Sequence, residues 1–232
     1  MEAVVLAGGL GTRLRDVLPG VPKPMAPIGN RPFLALLLER LSQRGFRRVV
    51  LSVGYLADAI TSYFGNEFCG MAVIYHVETK PLGTGGALAA AFGRVETDHA
   101  FVFNGDTFLD LEIEAVEACY LRRGRPIIVV RQVASTARYG RVELVDGQVR
   151  SLERTEDPSP GLINAGCYVL RRDTFETLGL GPEFSMEVDF LPPAITREPY
   201  DAFVSDGFFI DIGIPEDYRR AIVELPRVLA RK

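Results

Sequence analysis

Histidine and cysteine are scarce in this 232-residue chain, and their scarcity removes whole classes of chemistry. Two histidines, His76 and His99, and three widely spaced cysteines, Cys69, Cys119 and Cys167, argue against a zinc cluster and against a disulfide framework. The cysteines read as reduced, mostly packed thiols and the histidines as packed or hydrogen-bonded side chains. No apolar run approaches the roughly 20 residues that cross a bilayer. Basic charge is not concentrated either. The 26 Lys and Arg are scattered among 30 Asp and Glu, for a net charge of −4, so the chain offers no basic face to duplex nucleic acid. A local basic pocket for a small phosphorylated ligand remains compatible with that balance. The N-terminal MEAVVLAGG places an acid at position two and lacks the basic start and long apolar stretch of a signal peptide. The expectation is a cytoplasmic protein with neither a membrane nor a nucleic-acid partner. Homo-oligomerisation is left open.

What is present is an alternation. Glu2 to Ala7, Arg48 to Val53, Ala72 to His76 and Ala100 to Phe103 read as short apolar strands. Between them Phe33 to Gln43, Ala57 to Phe64 and a segment around Ala87 to Phe92 read as helices, the last placed after a glycine-rich loop, and Ile113 to Arg122 follows as a fourth. This spacing predicts a three-layer α/β fold around a mixed, mainly parallel, Rossmann-like sheet. After Pro126 the pattern changes to strands with little helix between them: Pro126 to Val133, Arg141 to Val145, Gln148 to Leu152 and Ile163 to Leu170. Asp146-Gly147 is a hairpin signal. A strand over Phe208 to Ile212 and a helix opened by Pro215 close the chain. Without a low-complexity linker or internal repeat, residues 1–232 read as one domain whose second half is more antiparallel. Tyr55, Tyr63 and Phe64 read as core or interface aromatics.

The first strand runs straight into Gly8-Gly9-Leu10-Gly11-Thr12-Arg13-Leu14. Three glycines in four positions let backbone N–H groups converge on an anion. Leu14 stands where a dinucleotide fingerprint needs glycine, and no Gly-Lys-Ser/Thr closes a P-loop, so neither motif applies. Arg13 follows at once, and Lys23 is held between Pro22 and Pro24, which restrict the backbone around it. Singly each reads as a turn or a solvated base. Together they point to phosphate binding.

LAGGLGTRL followed by PKPMAPI resembles the signature of the sugar-1-phosphate nucleotidyltransferases. So do Pro81-Leu82-Gly83-Thr84-Gly85-Gly86-Ala87, Asn104-Gly105-Asp106, Ile163-Asn164-Ala165-Gly166 and Phe209-Ile210-Asp211-Ile212-Gly213, in that order along nearly the whole chain. The resemblance implies a nucleotidyltransferase fold, with residues 1–125 forming mainly the nucleotide-binding half and 126–232 mainly the sugar-phosphate half. It implies that Leu6, Gly8, Gly9, Gly11, Thr12, Glu78, Gly83 and Thr84 hold the nucleotide and that Arg13 and Lys23 act on the phosphates. Tyr139, Gly140, Glu153, Arg154 and Asn164 would hold the sugar phosphate, and Asp106 and Asp211 would ligate Mg²⁺. The chemistry agrees: a sugar 1-phosphate, mostly dianionic near neutral pH with a second pKa of about 6, needs no general base to attack the α-phosphorus of an NTP. Catalysis is then positioning and charge neutralisation.

PKPMAPI, Pro32-Phe33-Leu34, PLGTGGA, NGDTF, Arg138-Tyr139-Gly140, FSME and FIDIGIPEDY together are most similar to the D-glycero-α-D-manno-heptose 1-phosphate guanylyltransferases, short bacterial enzymes serving surface polysaccharides. That likeness implies GTP as donor, with Glu78 suited to the N1–H and amino edge of guanine, although a surface glutamate at a strand end has the same spacing. Two positions depart from the family. Glu153-Arg154 replaces the usual Glu-Lys, which leaves the role of Arg154 open. Ile214 replaces a threonine that would cap the last helix. Mannose 1-phosphate with GTP, N-acetylmuramate 1-phosphate with UTP, and a catalytically silent nucleotide-sugar sensor are the alternatives.

Overall fold

The computed structural model describes residues 1–9, 11, 14, 17–176 and 178–230. In the first half, β1 (Glu2–Leu6) leads through a short 3₁₀ turn (Lys23–Met25) and a small hairpin, β2 (Pro27–Ile28) and β3 (Arg31–Pro32), into α1 (Phe33–Gln43). Then come β4 (Arg48–Val53), α2 (Ala57–Phe64), β5 (Glu67–Phe68), β6 (Met71–Val77), α3 (Gly83–Phe92), β7 (His99–Asn104), β8 (Thr107–Leu109) and α4 (Ile113–Arg123). The second half holds β9 (Ile127–Val133), β10 (Arg141–Val145), β11 (Gln148–Glu153) and β12 (Gly161–Arg171). It continues with a π-helical turn (Met186–Phe190), α5 (Leu191–Arg197), β13 (Asp201–Val204), β14 (Phe209–Asp211) and α6 (Pro215–Leu229).

Ten strands form one continuous sheet in the order β10-β11-β13-β9-β12-β7-β1-β4-β6-β5. β7, β1, β4 and β6 run parallel, as their helical crossovers require. β12 pairs antiparallel with both β7 and β9, so the two halves share a sheet through it. Alternation along the strands divides the core into two layers. Ala3, Val5, Val49, Leu51 and Val73 face α1, α4 and α6, with Phe33, Leu37, Val116 and Leu225 in the same cluster. Val4, Val50 and Val102, aligned in register, face α3, α5 and the π-turn through Leu88, Phe190 and Leu191. A run apolar at every position, as in Ala3-Val4-Val5, is what a strand buried on both faces needs.

The helices α1 and α2 and the strands β4 and β10 occupy the residues that the sequence pattern assigns to them. Asp146 and Gly147 both adopt positive φ, 52° and 75°, matching the type I′ turn that such a hairpin favours. Cys167 is buried and Cys119 half-buried, but Cys69 is exposed, so packing accounts for only two of the three thiols.

One element differs in kind. The segment Gly83 to Gly86, expected as a loop ahead of a helix, is already the first turn of α3. Its glycines serve close packing. A Cβ on Gly85 would strike the Phe184 ring, and one on Gly86 would strike the Pro182 carbonyl, while Gly85 and Gly86 both donate N–H to the Phe184 carbonyl at 3.0 and 3.1 Å. Glycine to alanine inside an unencumbered helix stabilises by about 1 kcal/mol. Here Gly86→Ala reverses that sign: overpacking against backbone destabilises the fold by about 1–3 kcal/mol, seen as a lower Tm by calorimetry, and a Tm at or above that of the parent contradicts the packing role.

Candidate active site

Parallel order sets β1 beside β7, and the ligand-binding edge of an open α/β sheet lies beyond the carboxyl ends of such strands. There β7 gives way to Gly105 and Asp106, and the Gly105 N–H is tied to the Leu6 carbonyl at 2.8 Å. β8 then pairs antiparallel with β14 so that Thr107 sits opposite Asp211. The Ile212 N–H donates to the Asp106 carbonyl at 2.9 Å, which fastens the two aspartates side by side although 105 positions separate them in sequence.

Two cations hold this pair. Lys23, at the start of the 3₁₀ turn behind Pro22, forms an ion pair with Asp106 and lies 3.9 Å from Asp211 Oδ1. Arg138 comes from the β9–β10 connection. Its Nη2 donates to Asp211 Oδ2 at 2.6 Å, its Nη1 bonds Asp217 in the first turn of α6, and its plane lies 4.9 Å from the Tyr139 ring. Asp211 Oδ1 accepts the Gly213 N–H at 2.6 Å. Burial, then repulsion from Asp106, pushes the Asp211 carboxyl above the usual range, against the pull of Lys23, Arg138 and that N–H. Burial likewise pushes the Tyr139 hydroxyl up to about 12.

Two cavities adjoin this cluster, one walled in part by Asp106 and Lys23 and the other by Arg138. The first, of about 500 Å³, is lined by Leu6, Gly8, Gly9, Glu78, Gly83 and Thr84, with Lys23 and Asp106 also in its wall. Glu78 is fixed by the Leu82 N–H at 3.3 Å and the Ser52 hydroxyl at 3.4 Å, and a Cβ on Gly8 would come within 2.5 Å of its Oε1. The second, of about 820 Å³, is lined by Tyr139, Gly140, Glu153, Arg154 and Asn164. Asn164 is locked in orientation, its Oδ1 accepting the Gly166 N–H at 3.0 Å and its Nδ2 donating to the Tyr168 hydroxyl at 2.7 Å.

The structure thus gathers Leu6, Gly8, Gly9, Glu78, Gly83 and Thr84 at one cavity and Tyr139, Gly140, Glu153, Arg154 and Asn164 at another, with three departures from the predicted set. Thr12 and Arg13 lie outside the described residues. Gly11 packs against Lys23, where a Cβ would stand 3.1 Å from the lysine Cβ, and is not in the wall of the first cavity. Asp211 faces a third, smaller cavity with Arg131 and Arg220 and reaches the first through Lys23. Sequence reasoning missed Arg138, Glu187 and Tyr55 as site residues. Tyr55, expected in a core or an interface, lines the first cavity instead. Both Arg138 and Glu187 carry a sequence signal, the first in Arg-Tyr-Gly, of which the motif reading assigns only the tyrosine and glycine, and the second in FSME.

The donor set fits magnesium. Asp106 and Asp211 offer hard oxygens, and no group of three or more His, Cys, Asp or Glu gathers anywhere among the described residues. Mg²⁺ is held in just this way, by one or two carboxylates with water and substrate phosphates completing its shell.

Comparison with known proteins agrees with this geometry. The family model for nucleotidyl transferases matches residues 2–227. The D-glycero-alpha-D-manno-heptose 1-phosphate guanylyltransferase of Aneurinibacillus thermoaerophilus is 39% identical over 97% of this chain and 98% of its own. The protein of the same name from Campylobacter jejuni is 40% identical over 96% and 99%. Among solved structures, HddC from Yersinia pseudotuberculosis complexed with GMP-PN superposes with a TM-score of 0.85 at 37% identity, covering 97% of this chain and 99% of that one. With the family model spanning residues 2–227 and relatives 39–40% identical over nearly their whole length, the chain belongs to the nucleotidyl transferase family and is a nucleotidyltransferase.

Proposed function

We propose that the protein transfers GMP from GTP to D-glycero-α-D-manno-heptose 1-phosphate, releasing pyrophosphate and forming GDP-heptose. The observation that carries the reaction type is the aspartate pair braced by Lys23, in the wall of a cavity with a fixed carboxylate, and by Arg138, in the wall of a larger cavity rich in hydroxyl-binding groups. The names of the relatives that are 39–40% identical, and the nucleotide in the HddC complex, support the choice of base and sugar. Residues 1–125 act as the nucleotide half and 126–232 as the acceptor half of one domain. No described helix is long and apolar enough to cross a membrane, and the proposed use of GTP and a sugar 1-phosphate suits an enzyme working in the cytoplasm.

In this reading Glu78 accepts the N1–H and amino hydrogens of guanine, a paired donor edge that uracil lacks. Gly8 and Gly9 admit the nucleotide to the backbone, Gly83 and Thr84 face its ribose, and Lys23 neutralises the α-phosphate as the sugar phosphate oxygen attacks in line. Arg13 takes the leaving pyrophosphate. Tyr139, Gly140, Glu153 and Asn164 orient the sugar, and Arg154 meets its phosphate. Asp106 and Asp211 would hold Mg²⁺, which supplies charge neutralisation at the phosphates. Nothing in the reaction calls for a protein nucleophile.

Pyrophosphate release, measured for GTP, UTP, dTTP, CTP and ATP against heptose, mannose, glucose and N-acetylmuramate 1-phosphates, tests the assignment. Turnover is expected with GTP and the heptose. Preference for another pair replaces the substrates and keeps the chemistry, whereas no release from folded, nucleotide-binding protein returns the silent sensor. A second test addresses Lys23. Because its ammonium competes for the carboxylates that would hold the metal, Lys23→Met is expected to bind Mn²⁺ roughly tenfold more tightly in the absence of nucleotide, while turnover falls about 100-fold. Electron paramagnetic resonance titration of Mn²⁺ reads the first effect, and an unchanged or weaker affinity rejects the competition.

A further inference from the structure

We propose that Glu187 is a specificity-determining residue of the acceptor cavity, a carboxylate that reads sugar hydroxyls while tethered to the wall of the nucleotide cavity through Thr84. The inference rests on the sugar nucleotidyltransferase reading above and names a residue that the motif pattern does not assign.

The local backbone is built to present this side chain. Met186–Phe190 is a single π-helical turn, a wide and uncommon geometry found often at functional positions. Met186 and Phe190 are buried in the core layer shared with α3. Ser185 caps the turn by accepting the Val188 N–H at 3.2 Å, and Asp189 ties back to the Ser185 N–H at 2.7 Å. With both ends of the turn held, Glu187 and Val188 are left to line the acceptor cavity alongside Asn164, Tyr139 and Glu153.

Its hydrogen bonds divide the two oxygens. Thr84 Oγ1 donates to Glu187 Oε2 at 3.0 Å and Ser185 Oγ donates to the same oxygen at 3.3 Å. The Thr84 hydroxyl is itself oriented, since it accepts the Met186 N–H at 2.9 Å. Among the described residues no donor reaches Oε1 and no Lys or Arg pairs with the carboxylate. A carboxylate with one anchored and one open oxygen in a cavity wall is an acceptor suited to hydroxyl donors and repels phosphate. Charge thus separates the ends of the acceptor: the arginines Arg138 and Arg154 suit its phosphate, and Glu153 and Glu187 suit its ring. Thr84 stands in the wall of the first cavity, so a single hydroxyl joins the seat of the nucleotide to the group that selects the sugar.

Steady-state kinetics with GTP and the heptose and mannose 1-phosphates, extended to 2-, 3- and 4-deoxymannose 1-phosphates, tests this. Glu187→Gln keeps the shape and removes the charge. Its expected effect is a 10- to 100-fold rise in the KM for the sugar phosphate, the scale of a lost hydrogen bond to a charged group, with the KM for GTP within twofold. One deoxy analogue, lacking the hydroxyl that Glu187 reads, should lose its penalty in the variant and keep it in the parent. Thr84→Ser, which retains the donor, should preserve the parent's sugar selectivity, and Thr84→Val should reproduce the sugar defect. A Glu187→Gln enzyme with an unchanged sugar KM and all deoxy penalties intact overturns the inference alone. A parent enzyme that releases no pyrophosphate from GTP with any sugar 1-phosphate overturns both this inference and the proposed function.

Discussion

Two carboxylates have to be held together against their own repulsion, and much of the surrounding architecture follows from that constraint. Unit charges of like sign 4 Å apart repel by about 4 kcal/mol at an effective dielectric of 20, and burial adds to the cost. The upward displacement of the Asp211 carboxyl records both effects. Backbone pairing resists the repulsion first: β8 and β14 are only three residues each, but their register and the Ile212-to-Asp106 bond leave the aspartates nowhere else to go. Side chains do the rest. Lys23 arrives on a turn stiffened by two prolines, and Arg138 arrives from the opposite half of the chain and grips Asp211 and Asp217 together.

The mixed sheet makes that convergence geometrically feasible. The parallel strands β7, β1, β4 and β6 place their carboxyl ends along one edge, which furnishes the floor of the first cavity. β12 reverses direction against β7 and carries Asn164 to the neighbouring cavity, and the β10–β11 hairpin brings Glu153 and Arg154 to the same place. The cavities therefore draw on strands from either side of the change in direction between β7 and β12, with Lys23 and Asp106 in the wall of one and Arg138 in the wall of the other. The Thr84–Glu187 bond is a second seam between them, made by the first turn of α3 and the π-turn.

Sequence pattern reaches those features that are local and periodic. Val-rich runs ending in glycine fix β1 and β4, and a leucine-rich stretch preceded by Pro32 and followed by a glycine at position 45 fixes α1. The residues that line the two cavities are legible because their motifs are contiguous, so that a few residues carry both a turn and a stretch of cavity wall. What escaped depends on partners distant in sequence. Gly85 and Gly86 have the same composition whether they loosen a loop or admit Phe184 and Pro182, and only tertiary packing separates the two cases. β8 and β13 are too short to show a period, and β13 is held by its parallel pairing with β9. Arg138 resembles any surface arginine until Asp211 and Asp217 are brought to it. A π-turn has no sequence period that distinguishes it from an α-helix over five residues.

The two bracing cations differ in how readily they can let go. A guanidinium forked between two carboxylates has fixed geometry on both arms, and releasing it would leave Asp211, largely shielded from water, with only the more distant Lys23 as a cationic partner and Asp217 with only Arg220. An ammonium is a point charge on a flexible stem, and Lys23 meets Asp106 closely while only approaching Asp211. In the reaction proposed above, which gathers two polyanions, a cation already in place but held by one close contact can pass to an incoming phosphate at little cost. The same transfer relieves the carboxylates of their competitor at the moment a divalent ion would need them. Arg138 stays behind to keep Asp211 aimed. On that proposal, division of labour between an exchangeable and a fixed cation gives the site order before substrates arrive and positive charge for the phosphates once they do.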